Sequence, residues 1–281
     1  MPISAERLER GRAIAVLGLQ TRTRTGLRSL ALARFVLVHG AFSGAWCWER
    51  VLPGLQAAGH AVETLDLPGS GSDQTPLEEV TLDAYARRVN AVLASGPPAV
   101  LVGHSMGGMV VTQAASRAPD DVAALVYLCA FLPVDGEALL TLTGTPEGAA
   151  DQIQANILIG GDPPVARLSD DASRIAIYGC CSEEQIAWAL PQRRPQPVVP
   201  MTNPFELDQS HAEAFAALPR GYVTCLSDRS IPPPLQRLMF ERAGCDPVIE
   251  IDTDHAPYLS RPDEVVSALD QLEHELSSAA R

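Results

Sequence analysis

The sequence predicts an α/β fold, a mostly parallel sheet flanked by helices, on three observations. Short apolar runs recur from residue 34 onward and alternate with segments of helical character, the pattern that builds a parallel sheet covered on both faces. Runs such as Pro98-Ala99-Val100-Leu101-Val102 read as short buried strands. At 281 residues with 46% hydrophobic content, the chain can also bury a core of the required size.

Taken in order, residues 35–38 (Phe-Val-Leu-Val) form the first expected strand, 46–58 a helix and 61–67 the second strand. A helix over 80–94, a strand over 99–102, a helix over 106–118 and a buried strand over 123–129 follow. Past Leu132 the rhythm breaks into a long, less periodic stretch with Gly-Asp-Pro-Pro at 161–164 and Arg-Pro-Gln-Pro at 194–197, which reads as an inserted cap. Alternation resumes with a strand over 221–226, a helix over 234–243, a strand over 248–251 and a last helix over 262–277. The expected organisation is an N-terminal extension (1–33), a core (34–132 and 219–281) and a helical cap (133–218). Residues 1–34 carry seven arginines against two glutamates and an apolar piece too short for a convincing signal sequence, so the extension reads as a poorly ordered leader.

Composition narrows the chemistry. A net charge of −13 argues against nucleic-acid binding, which needs clustered positive charge to displace counterions. All basic residues are arginine, so Schiff-base chemistry, a P-loop lysine and lysine general bases are excluded. The six cysteines are scattered without C-x-x-C spacing and read as reduced core residues rather than as disulfides or a zinc site. No apolar segment is long enough to span a bilayer. The expectation is a cytoplasmic protein acting on a small molecule, without nucleic acid, membrane, metal or organic cofactor, and with a homodimer left open.

Gly103-His104-Ser105-Met106-Gly107 carries the strongest chemical signal. A serine framed by glycines between a buried strand and a helix is written like a nucleophile elbow, in which side chains at the framing positions would collide with neighbouring elements. A serine hydroxyl needs a histidine to take its proton and a carboxylate to hold that histidine in the right tautomer. With an elbow, the chain order is serine, acid, histidine. His255 follows the strand 248–251, at a carboxyl-terminal strand end where sites in open α/β sheets gather, whereas His211 and His274 fall in the cap and on the last helix. Asp228, after the strand 221–226, is the preferred acid; Asp252 and Asp254 are rivals by proximity but lack a separate strand end. His39 and His104 lie too close to the early loops to be the base. Two backbone N–H groups are expected to face the oxyanion, those of Met106 and of Ala41 in His39-Gly40-Ala41-Phe42.

With these residues assembled, the chain resembles the α/β-hydrolase superfamily. Within it, the likeness is to the plant methylesterase and hydroxynitrile lyase group and its bacterial, pyrethroid-type carboxylesterase relatives. The pieces that carry it are Val-Leu-Val-His-Gly-Ala at 36–41, Leu-Asp-Leu-Pro-Gly-Ser-Gly at 65–71, Gly-His-Ser-Met-Gly-Gly at 103–108, Ala-Phe-Leu-Pro at 130–133 and Tyr-Gly-Cys-Cys at 178–181. The resemblance implies a Ser105, Asp228 and His255 triad, an oxyanion hole of Ala41 and Met106, and a helical cap over a pocket shaped by residues such as Phe131, Ile157, Trp188 and Phe205. The lyase members place a lysine beside the catalytic histidine and a threonine in the first loop. Ala256 and Ala41 stand there instead, so hydrolysis of a small or aromatic carboxylic ester is the preferred reading. A lyase, a carbon-carbon bond hydrolase and a non-catalytic ligand receptor on the same fold are the alternatives.

Overall fold

A computed structural model describes residues 33–279, so the expected N-terminal leader lies almost wholly outside the described residues. The first half of the core is β1 (Arg34–Val38), α1 (Leu52–Ala57), β2 (Ala61–Leu65), α2 (Leu82–Leu93), β3 (Ala99–His104), α3 (Gly107–Arg117) and β4 (Val122–Leu128). The helix expected over 46–58 is broken into a 3-10 turn, Ala45–Trp48, and the short α1. Pro53 starts α1, and Gly59 with φ +97° turns the chain out of it. Thr81 caps α2 by accepting a hydrogen bond from the Ala84 N–H at 3.0 Å, which fixes where that helix begins.

The insertion 133–218 contains α4 (Leu139–Thr143), α5 (Gln152–Asn156), β5 (Leu158–Gly160), β6 (Val165–Arg167), α6 (Asp170–Ala176), α7 (Glu183–Ala189), β7 (Gln196–Pro197), α8 (Val199–Thr202) and α9 (Ala212–Ala217). It is therefore not purely helical: β5, β6 and β7 form a three-stranded antiparallel sheet. Strands of two or three residues are too short to show a period, and Leu158 and Ile159 of β5 are exposed, so no apolar face marks them in the sequence. Gly161, with φ +97°, lies in the turn between β5 and β6. Core and insertion pack as one compact unit. The chain then returns to the core with β8 (Arg220–Cys225), α10 (Pro233–Arg242), β9 (Val248–Ile251), α11 (Pro257–Ser260) and α12 (Pro262–Ala279).

The main sheet has the order β2-β1-β3-β4-β8-β9, and every pairing in it is parallel. All residues of β1 and β3 are buried, and alternate side chains enter two separate cores. Val36 and Val38 pack with Tyr85 and Val89 of α2 and Val110 of α3, while Phe35 and Leu37 pack with Leu55 of α1 and Leu269 and Leu272 of α12. Helices on both faces explain why the strands are apolar throughout. From β1 the chain first builds outward to β2, then crosses to β3 on the other side of β1. The loops leaving β1 and β3 therefore diverge and open a crevice at the carboxyl edge of the sheet.

Candidate active site

The β1 loop carries Ala41, and the β3 turn carries Ser105. Ser105 has φ +54°, a left-handed conformation that costs a side-chain-bearing residue about 1–3 kcal/mol unless its surroundings hold it. They do so here: the Ser105 carbonyl accepts from the N–H groups of Gly108 and Phe131, each at 3.0 Å. The turn is close-packed on both sides. A Cβ on Gly103 would stand 2.7 Å from the Gly107 carbonyl oxygen, and one on Gly107 would stand 2.7 Å from the Val38 carbonyl oxygen. The glycines framing the serine are thus required by backbone contacts that no rotamer change relieves.

Ser105, His255 and Asp228 come together although they lie far apart in sequence. Ser105 Oγ is 2.8 Å from His255 Nε2, and His255 Nδ1 is 2.7 Å from Asp228 Oδ2. All three residues are buried. Asp228 Oδ1 accepts from the N–H groups of Ser230 and Ile231 at 2.7 and 2.9 Å, and its Oδ2 also accepts from Gln236 Nε2 at 3.2 Å. These donors fix the orientation of the carboxylate, and with Nδ1 of His255 turned to Asp228 its Nε2 faces the serine hydroxyl. Neither the Ala41 nor the Met106 N–H donates to a protein acceptor among the described residues. Phe42, immediately after Ala41, also has a positive φ of +61°, which shapes the loop that presents that N–H.

The rival acids are engaged elsewhere. Asp254 accepts from the Cys180 N–H at 2.7 Å and from Ser260 Oγ at 3.0 Å, tying the histidine loop to the insertion. Asp252 is exposed and accepts a hydrogen bond from Ser227 Oγ at 3.3 Å. His211 pairs with Asp208, and His274 is exposed on α12. His104 Nε2 donates to the His255 carbonyl at 2.8 Å, and burial together with the nearby His255 keeps its pKa well below the ordinary histidine value. It acts as a neutral strut under the His255 loop. His39 plays a similar part in the β1 loop, where its Nδ1 donates to the Gly40 carbonyl and its Nε2 accepts the Leu67 N–H. Among the described residues, His104, Cys129 and His255 bring donor atoms within 4.8 Å of one another. Both His255 nitrogens and His104 Nε2 are already hydrogen-bonded, and burial pushes the Cys129 thiol well up, so the set does not suit a metal. All six cysteines are free; four are buried, while Cys180 and Cys181 lie in the insertion.

Two small cavities, each about 20 Å³, meet at Ser105. One is walled mainly by apolar side chains, Met106, Phe131, Leu139, Met201 and Ile231, with Asp151 among them; the other is the more polar, with His255, Tyr178, Arg193 and Tyr258 beside Phe42, Ile153 and Ile177. Of the pocket residues expected from the sequence, Phe131 lines this site, whereas Trp188 packs edge-on against Trp46 and Phe205 packs against Phe215. Ile157 packs against the core and lines neither cavity. A larger groove, about 610 Å³, opens beside Asp228 and Arg229, but neither Ser105 nor His255 faces it.

Asp151, in the apolar cavity, was not legible as a site residue. It caps α5 through the N–H groups of Ile153 and Gln154, and burial pushes its pKa from 3.8 up to about 6. The folded pKa lies above the unfolded one, so the folded chain holds this proton more tightly. The stability that follows is full below about pH 4 and is lost as pH rises through about 6. Asp151→Asn keeps a good cap and removes the ionisation, so it should stabilise the protein by about 1–2 kcal/mol at pH 8, with the gain shrinking toward pH 5. Urea denaturation at both pH values checks this, and a gain independent of pH contradicts it.

A parallel sheet with a serine elbow after β3, and with an acid and a histidine after β8 and β9, defines an α/β hydrolase. The chain belongs to the alpha/beta hydrolase family, whose model matches residues 35–268. It is 33% identical over 257 residues to salicylic acid-binding protein 2 of Nicotiana tabacum, covering 85% of this chain and 96% of that protein. It is 32% identical over 247 residues to methylesterase 7 of Arabidopsis thaliana, covering 84% and 94%. Among solved structures, a pyrethroid hydrolase from Sphingobium faniae JZ-2 superposes with a TM-score of 0.75 at 26% identity, covering 85% of this chain and 96% of that one. Among the described residues no helix is long and apolar enough to cross a membrane.

Proposed function

We propose that this chain is a serine carboxylic-ester hydrolase with Ser105 as nucleophile, His255 as general base and acid, and Asp228 as the orienting carboxylate. The observation that carries the reading is the continuous relay from Ser105 Oγ through His255 to Asp228, at 2.8 and 2.7 Å. Ser105 Oγ attacks the acyl carbon as its proton passes to His255 Nε2. The oxyanion that forms is held by the N–H groups of Ala41 and Met106. The imidazolium returns the proton to the alcohol oxygen, the ester C–O bond breaks, and an acyl-serine remains. Water, deprotonated by His255, then releases the carboxylic acid and restores Ser105. This route calls for no metal or organic cofactor. Free cysteines throughout fit residence in a reducing compartment such as the cytoplasm.

A fluorophosphonate probe tests the nucleophile directly. Stoichiometric labelling at Ser105, lost on heating or on Ser105→Ala, is the expected result. Failure of the native protein to label, together with tight ligand binding, would favour the receptor alternative.

A further inference from the structure

We propose that Arg193 binds an anionic group on the substrate, so that this enzyme acts on esters carrying a carboxylate or similar anion beside the scissile bond. The proposal deepens the hydrolase reading and rests on it. Arg193 lies in the insertion between α7 and β7, and its side chain enters the polar cavity that Ser105 and His255 also line. Among the described residues, it has no carboxylate within 4.0 Å, whereas Arg34, Arg174 and Arg242 pair with Glu63, Glu183 and Glu137. Its guanidinium donates to Ser173 Oγ and lies over the Phe42 ring, 5.3 Å from the centroid. The Nε atom is buried with no hydrogen-bond partner. A guanidinium offers five N–H donors in a fork that matches a carboxylate, and most of them are unused here.

A largely buried cation without a carboxylate partner is unfavourable in the free enzyme, and burial correspondingly lowers its pKa from the ordinary arginine value. An incoming anion would remove that cost and form a charge-assisted pair. Position favours the same reading. Phe42, on which the guanidinium rests, follows the oxyanion donor Ala41, so an anion held here belongs to the molecule being cleaved rather than to a remote site. The opposite cavity is walled mainly by apolar side chains and holds the Asp151 carboxyl, which leaves the Arg193 side as the one that suits an anion.

The test compares matched esters differing only in charge: 4-acetoxybenzoate against 4-acetoxybenzamide, and 4-nitrophenyl hemisuccinate against 4-nitrophenyl succinamate. The wild-type protein should prefer the carboxylate member of at least one pair by about ten- to hundred-fold in kcat/KM, chiefly through KM. Arg193→Gln should bring that ratio close to one, and Arg193→Lys should retain part of it. No charge preference in the wild type, or a preference that survives Arg193→Gln, overturns the proposal. So does an equal loss on charged and neutral members, since that is what a purely structural arginine would give. Turnover of the neutral esters keeps the two failures apart: without any turnover or labelling of Ser105, the hydrolase reading itself falls.

Discussion

Ser105→Ala is expected to lower kcat for a short 4-nitrophenyl ester by about 10⁴- to 10⁶-fold while leaving the fold intact. The size follows from the chemistry: without Oγ there is no acyl-enzyme, and only the oxyanion donors and substrate positioning remain to help water attack. The fold should tolerate the change because Ser105 Oγ makes one protein hydrogen bond, to His255 Nε2. The contacts that hold the strained turn use the Ser105 backbone carbonyl, which alanine retains. Losing that one bond beside a cavity that already has room for about one water should cost no more than about 1 kcal/mol. Initial rates of 4-nitrophenol release and a thermal melt measure the two halves. Turnover within tenfold of the parent would remove Ser105 from the mechanism, and a collapsed melting transition would show that the serine is structural.

The three side chains that meet at the candidate site were legible in the sequence because each sits where chain order and strand ends announce it. Ser105 carries a local motif, and Asp228 and His255 each follow a run that reads as a strand. Their partners were not legible for a physical reason: each acts through a contact made only by tertiary folding. Gln236 reaches Asp228 from α10, and His104 reaches the carbonyl of a residue 151 positions away. Gln236 carries no local signal, and His104, although it lies within the elbow motif, carries none of the carbonyl it reaches. The insertion was the least legible part. Its strands are too short to show periodicity, and its pocket face is assembled from single side chains on separate short elements. Tyr178 and Arg193 reach the cavity, while the more hydrophobic Trp188 and Phe205 pack away from it. Size and hydrophobicity therefore mark a buried residue without saying which void it faces.

Asp228→Asn should be almost as damaging, lowering kcat by about 10³- to 10⁴-fold in a folded protein. The cause lies in the donors that surround the carboxylate. Oδ1 accepts two backbone N–H groups, from Ser230 and Ile231, so the introduced amide must place its oxygen there. Its NH₂ then occupies the Oδ2 position and donates toward His255 Nδ1, which has to become an acceptor. That shifts the imidazole proton to Nε2, the atom that must take the proton of Ser105. Gln236 cannot relieve the conflict by rotating its own amide. Its Nε2 donates to the Ile231 carbonyl at 2.7 Å, and its Oε1 accepts from Thr224 Oγ1 and the Cys225 N–H at 2.9 and 3.2 Å. The amide thus meets two groups fixed in the wrong sense, and catalysis fails by tautomer rather than by distance. Nitrogen-15 shifts of the His255 ring should report the exchange from an Nδ1–H to an Nε2–H form alongside the fall in kcat. A variant that keeps the Nδ1–H form and most of its activity would show that Asp228 is not the orienting group.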